Sequence, residues 1–489
     1  MWWRHWKNLR QSKMKQAKID TTNFRDHLSN VTETGKRIWI YPRIVAGDFY
    51  KLRTYFSWLL LGLLLGLPWL EFDGHPLFLF NVIERRFIFW GVTFFPQDFH
   101  LVAIGLLTFI VFIILFTVIF GRVFCGWACP QTIFLEMLFR KVEILIEGDH
   151  NAQRRLDEQP WNNEKIWKKT LKHTIFLILS FVIANVFLAY IIGKKELITI
   201  MFDNPLNHII GLLSILIFTG AFYFVFARFR ELVCIVVCPY GRLQGIMLDK
   251  KSIVVAYDFI RGEPRGKHQN ETEKVKVLEK NEVVHGSCID CKICVQVCPT
   301  GIDIRNGTQL ECIACTACID ACDEVMDKIQ EPRGLIRYAS IEGIEQKKKL
   351  KFNARIASYS FILLALLSIL GYLLATRSII ETTILRAPGL MYQENKDGTI
   401  SNLYNVQVVN KSYQKMPLTF RLKEGNGTIK MIGQSMSVKS SEVSESSFFI
   451  FLPTKFIKES SVKLEVEVIS EGKIIDVVKT KFQGPSKGE

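Results

Sequence analysis

The chain has 489 residues, room for about three domains, so one small core is excluded as the whole story. Its apolar fraction is 49%, and those residues are bunched into long uninterrupted runs that a soluble fold rarely needs. The net charge of +15 is explained by basic segments flanking those runs, so we expect no nucleic-acid partner.

In chain order, residues 1–53 form a basic, polar N-terminal segment without the short apolar core and small-residue cleavage site of a signal peptide. Five runs then follow, each long enough to cross a hydrocarbon core of roughly 30 Å as a helix of about 20 residues. They cover Tyr55 to Leu70, Phe99 to Phe120, Thr174 to Ile192, Ile209 to Phe229 and Ile356 to Thr376. Lys and Arg set the orientation. The segment through Arg53 and the segment from Arg122 to His173, with Arg154, Arg155, Lys168 and Lys169, are rich in them and are expected in the cytoplasm. Glu71 to Asp98 carries only Arg85 and Arg86, and Gly193 to His208 only Lys194 and Lys195, so both are expected outside. Alternation then places Phe229 to the fifth run inside, in keeping with Lys347, Lys348, Lys349 and Lys351, and the C-terminal region outside. The expected domains are a membrane domain over 54–250, a cytoplasmic cysteine-rich domain over 251–353, a fifth helix over 354–378 and an outside domain over 382–489.

Two cysteine pairs sit where membrane runs end. Cys125 and Cys129 lie in FCGWACPQ after the second run, and Cys234 and Cys238 in CIVVCPY after the fourth. Both read C-x-x-x-C-P. In a helix that spacing would put both sulfurs on one face, and the proline suits the first turn of a new helix. Buried packing is the ordinary fate of free cysteine. A duplicated pair at two equivalent membrane edges instead favours a soft metal such as Cu(I), or dithiol exchange.

The remaining eight cysteines are denser. Cys288, Cys291, Cys294 and Cys298, followed by Pro299, make the C-x-x-C-x-x-C-x-x-x-C-P run of bacterial ferredoxins, and Cys312, Cys315, Cys318 and Cys322 repeat the spacing. A [4Fe-4S] cubane needs one thiolate per iron, and in two-cluster ferredoxins the fourth cysteine of each run serves the other cluster. The expected sets are therefore Cys288, Cys291, Cys294 and Cys322 for one cluster, and Cys298, Cys312, Cys315 and Cys318 for the other. Asp323 stands where the second run lacks its proline. Zinc usually takes paired C-x-x-C knuckles with longer spacers, and disulfides are disfavoured in a segment expected to be cytoplasmic. Two clusters in one small module point to the passage of single electrons.

Between the fourth run and these cysteines, Lys267 to His285 is charged and without periodicity, as an exposed linker would be. His75, His100, His173 and His208 flank membrane runs and form no ligand motif. After the fifth run, short alternating segments (Tyr404 to Val409, Leu418 to Leu422, Phe448 to Leu452, Val462 to Ile469) are separated by turn residues at Asn395 to Gly398, Gly425 to Gly427 and Glu471 to Gly472. This pattern predicts an antiparallel sandwich that binds a partner or serves as a passive cap.

The motifs together make the chain resemble the cytochrome c oxidase accessory proteins of the CcoG/FixG/RdxA type, relatives of the membrane ferredoxin subunits of periplasmic nitrate reduction. VIERRFIFWGVTFFPQDF from Val82, GRVFCGWACPQT from Gly121 and CPYGRLQGIMLDKKSIVVAYDFIRGEPRG from Cys238 carry the likeness, which covers most of Lys36 to Tyr392. The RGEPRG stretch and the long C-terminal domain are not expected in the nitrate-reductase relatives. The resemblance implies a five-helix membrane bundle of the bacterial inner membrane, with an inserted dicluster ferredoxin module and an immunoglobulin- or fibronectin-like sandwich in the periplasm. It also implies reduction of Cu(II) to Cu(I) for assembly of a cbb-type oxidase, with copper-handling and oxidase assembly proteins as partners and a cytoplasmic electron donor left unnamed. The copper site would fall on Cys125, Cys129, Cys234 and Cys238. Quinol-linked electron transfer to a periplasmic enzyme, or a scaffold without turnover, are the other readings.

Overall fold

A computed structural model describes residues 30–31, 36–72, 74–83, 85–267, 285–347, 354–389, 391–424, 427–433, 436–440, 442–457 and 459–485. Most of the expected linker before the clusters, and Lys348, Lys349 and Lys351, lie outside the described residues.

Among the described residues, five helices are long and apolar enough to cross a membrane: α1 in Asp48–Trp69, α2 in Pro96–Phe120, α3 in Asn163–Ile192, α4 in Ile209–Phe229 and α5 in Ala354–Ala375. Each overlaps an expected run. The largest departures are at the N-terminal ends of α1 and α3, which begin on polar residues before the apolar stretch does. Hydropathy marks only the part matched to lipid, whereas backbone hydrogen bonding carries a helix on into the interface. At 1.5 Å per residue, the 30 residues of α3 span about 45 Å, some 15 Å more than a hydrocarbon core needs. Its first turns, through about His173, therefore stand outside that core.

The start of α1 shows how the cysteine module and the bundle are joined. The residue before the helix is Gly47, which has no side chain to cap it. Asp320, from the helix Ala317–Lys328 of the cysteine module, supplies the cap by accepting the N–H groups of Phe49 (3.2 Å) and Tyr50 (2.7 Å). A Cβ on Gly47 would lie 2.1 Å from Asp320 Cγ, so the close approach requires glycine. The module is closed at its own ends by antiparallel pairing of Val254–Tyr257 with Ile336–Ala339, which brackets all eight cysteines.

The chain divides into two compact units. One comprises residues 1–67, 105–189 and 194–367, and the other 68–104, 190–193 and 368–489. In the second unit, Phe78–Asn81, Arg86–Phe89 and Val92–Phe94 form a small antiparallel sheet. Its last turn uses Trp90 and Gly91, both at positive φ, the geometry a two-residue hairpin demands. The same unit contains the β-sandwich. One sheet orders Thr428–Met431, Val443–Pro453, Thr399–Asn410 and Ile380–Arg386; the other orders Thr419–Leu422, Ser461–Ser470 and Lys473–Gln483. Its core includes Tyr404, Phe448, Val466, Val468 and Phe482, all fully buried. The hairpin at Glu471 and Gly472, both at positive φ, sits where the turn residues predict it. Asp98, beside the start of α2, is buried in an ion-pair cluster with Arg377 (2.6 Å), just past α5, and Lys411 (2.7 Å), from the sandwich.

Candidate redox site

The two cysteine runs fold into near-identical loops. In the first, Asp290 and Lys292 have positive φ, at 52° and 56°; in the second, the equivalent Ala314 and Thr316 do, at 54° and 67°. A non-glycine residue there is costly, and its repetition at matching positions marks a required winding. Alternating right- and left-handed residues turn successive N–H groups inward, making the kind of concavity that suits an anionic iron–sulfur group.

The fourth cysteines cross over. Cys288, Cys291, Cys294 and Cys322 line one small cavity with Tyr257 and Arg305. Cys298, Cys312, Cys315 and Cys318 line a second, whose wall Cys294 also reaches. Among the described residues no three His, Cys, Asp or Glu side chains stand close enough to hold a single ion. Thiols spread around a cavity instead suit a cubane, where each takes its own iron. As thiols, Cys294, Cys312 and Cys322 are pushed up to about 12 by burial, and Cys315 to about 11. Iron would hold such groups as thiolates. The residues therefore fit two [4Fe-4S] clusters.

Charged and hydroxyl groups surround the first cavity. Arg305 is buried and bonds Asp290 (2.5 Å) and Asp303 (2.6 Å), with Cys294 close enough to feel its charge. Tyr257 donates to Glu263 (3.3 Å). The RGEPRG stretch wraps this side: Arg261 O accepts from Ser287 N (3.0 Å), and Gly266 N donates to Cys288 O (3.1 Å).

The membrane-edge cysteines come together beside the second cavity. Cys125 lies in the helical turn Val123–Trp127, and Cys129 is the extended residue just before the helix Pro130–Ile133. Cys234 lies in a π-helical turn, Val233–Val237, and Cys238 directly precedes the helix Pro239–Met247. The prolines do open new helices. The chain leaves the helical path at each second cysteine, however, so neither pair lies along one continuous helix face. Convergence is between motifs. Burial pushes the Cys125 thiol up, and nearby Cys129 and Cys238 act in the same direction. Cys234 is pushed up to about 12 by burial, reinforced by Cys129, Cys125 and Cys238. Cys125 Sγ donates to Gln244 Oε1 (3.0 Å), whose amide donates to Thr117 (3.2 Å).

The two sites touch. Gly126, within the first membrane-edge motif, packs on the loop between Cys312 and Cys315: an added Cβ would lie 2.4 Å from Ile313 O and 3.0 Å from the Ala314 carbonyl carbon. Arg53 Nε donates to Gly126 O (2.8 Å), and buried Arg122 donates to Leu310 O. Trp127 Nε1 donates to Tyr338 Oη (3.2 Å), and Tyr338 in turn donates to Ala314 O (3.3 Å). Sequence reading did not single out Arg53, Arg122, Gln244, Arg305 or Tyr338. Arg122 and Gln244 lie inside the quoted motifs GRVFCGWACPQT and CPYGRLQG, which is the signal available for them. Arg53 and Tyr338 carry no local signal, because their partners are distant in sequence.

Family models match three stretches: a 4Fe-4S dicluster domain over residues 229–341, a 4Fe-4S binding domain over 102–147, and the IG-like fold at the C-terminal of FixG over 370–485. The chain is 36% identical over 388 residues to protein RdxA of Cereibacter sphaeroides, covering 76% of this chain and 80% of RdxA. It is 37% identical to RdxB of the same organism, covering 77% of this chain and 80% of RdxB. It is 41% identical to the nitrogen fixation protein FixG of Rhizobium meliloti over 318 residues, 63% of this chain and 58% of FixG.

Proposed function

Because the chain belongs to the FixG and RdxA family of membrane iron–sulfur oxidoreductases, we propose that it reduces Cu(II) to Cu(I) at the membrane edge. The Cu(I) would be handed to proteins that assemble a cbb-type cytochrome c oxidase. The observation that carries this reading is the packing of Gly126 on Ile313 and Ala314, which sets the Cys125 and Cys129 motif against the loop between Cys312 and Cys315.

Cys288, Cys291, Cys294 and Cys322 would hold one [4Fe-4S] cluster, and Cys298, Cys312, Cys315 and Cys318 the other. When bound, the clusters supply one-electron carriers. The protein's part is to hold the copper thiols close to them. Cu(I) is softer than Cu(II) and prefers thiolate, so a sulfur-lined site favours the product oxidation state. Four thiols that approach without closing on one point suit an ion that must leave again. Arg122 and Gln244 orient the site from the protein side, the first against Leu310 O and the second through Cys125. In this reading the protein lies in the bacterial inner membrane, with the cysteine module in the cytoplasm and the sandwich in the periplasm.

The test is a cuprous-chelator assay on anaerobically reduced protein, with iron content measured in parallel. A Cys125→Ala, Cys129→Ala double variant should keep its iron and lose copper reduction. Reduction at the wild-type rate in that variant would remove these cysteines from the reaction.

A further inference from the structure

At the end of the bundle that meets the cysteine module, α3, α4 and the segment around Trp39 line a half-open chamber of about 620 Å³ that copper reduction leaves unused. Its walls include Trp39, Phe176 and Phe224, and within it Tyr223 Oη and His173 Nδ1 are 3.0 Å apart. Phe224 is 54% exposed at the surface of an apolar helix, so the chamber borders the zone where lipid would lie. Of the chamber's four Lys and Arg side chains, Lys169, Lys172 and Arg230 are already neutralised, and Arg228 stands with its guanidinium 5.7 Å from the Trp39 ring. Lys169 pairs with Glu147 (3.0 Å) and Asp157 (2.5 Å), Lys172 with Glu143 (3.3 Å) and Glu147 (2.8 Å), and Arg230 with Glu143 (2.8 Å). A phosphate headgroup would find all but one of these counter-charges taken. A neutral, flat, lipid-soluble molecule that gives and accepts hydrogen bonds fits better.

We propose that this chamber binds a membrane quinol and is where electrons enter the protein. The proposal rests on the reading above for the destination of those electrons. Oxidation of one quinol to quinone releases two protons and two electrons. His173 takes the first proton, held in orientation by Tyr223; the second leaves to water at the chamber mouth, and the two electrons would go to the clusters that the eight cysteines would hold, one to each. Residues next to the chamber wall contact the cysteine module directly. Next to Trp39, Ile40 packs on Gly301, where an added Cβ would meet Ile40 Cδ1 at 2.9 Å. Arg140 donates to Pro299 O (3.4 Å), the residue after Cys298, and lies 3.8 Å from Glu231.

The experiment uses the full chain in lipid nanodiscs with a photoreactive azidoquinone, followed by peptide mapping. Label should fall on peptides containing 169–176 or 223–230, compete with unlabelled quinol, and drop at least roughly tenfold in His173→Gln and Tyr223→Phe. Both variants should match wild type in iron content and in dithionite-driven copper reduction. A second reading follows reoxidation of pre-reduced protein: a short-chain quinone should act saturably and more slowly on His173→Gln, while ferricyanide acts on both alike. Label elsewhere, label displaced by phosphatidylglycerol and not by quinol, or variants that label as wild type would overturn the proposal. Dithionite-driven copper reduction without quinone labelling removes the chamber and keeps the copper reading; labelling without copper reduction does the reverse.

Discussion

Arg305 is a buried cation against one cluster cavity, and two aspartates hold it there. A nearby positive charge favours the reduced, more negative form of a cluster. Arg305→Gln removes that charge and leaves Asp290 and Asp303 unpaired, both in the same direction. We expect a midpoint potential more negative by about 40 mV, equivalent to ~1 kcal/mol for one electron, read by electron paramagnetic resonance titration. Gly126 makes a different prediction. Its missing side chain is what lets two loops meet, so Gly126→Ala must push them apart by backbone movement. Iron content should survive, while copper reduction falls by roughly tenfold or more in a stopped-flow assay. An unchanged rate would mean the contact is not part of the route. Neither residue could be found from spacing alone. The cysteines are legible because iron chemistry fixes their intervals; the residues that tune or join the sites touch them across long sequence separations and leave no local pattern.

Helices and their ends carry the next level. Asp320 caps α1 from another element, so Asp320→Ala should cost about 1–2 kcal/mol and fray the start of α1, seen as faster amide exchange at Tyr50 and Lys51. Glu143 holds the helix Arg140–Glu147 to α3 and to Arg230. Burial alone would raise its carboxyl, but Arg230 and then Lys172 and Arg140 bring it down to about 2. Its folded value lies below the ordinary carboxylate value, so its stabilisation is complete above about pH 4.5 and is lost as pH falls toward 2. Glu143→Gln should cost ~3 kcal/mol at pH 7, much less at pH 3, in thermal unfolding of detergent-solubilised protein. The spans were legible because apolar runs of membrane length have few other uses. Their polar beginnings were not, since the N-terminal turns of α3 are held by ion pairs to Glu147 and Asp157 rather than by lipid.

At the scale of the molecule, most of the membrane bundle and the cysteine module fall in one compact unit, whereas the expected domains divide at residue 251. The sandwich was legible from its alternation and turn residues, and the match to the FixG C-terminal fold agrees with it. Its attachment within the second unit was not. Asp98 ends the loop Glu71 to Asp98, which was read only for its few basic residues, yet it is buried between Arg377 and Lys411. Asp98→Ala leaves two half-buried cations without their shared carboxylate, Lys411 keeping only Glu381, and should cost about 3 kcal/mol, measured as a lower unfolding midpoint and as new protease cleavage near Arg377. The central claim is that electrons pass from the cluster cysteines to copper at the membrane-edge thiols. Its most direct test is a single-turnover titration: protein reduced with dithionite, freed of excess reductant, and mixed anaerobically with Cu(II). The account predicts two Cu(I) per chain as both clusters are oxidised, and none from the Cys125→Ala, Cys129→Ala variant with its clusters intact; clusters that stay reduced in the presence of Cu(II) would contradict it.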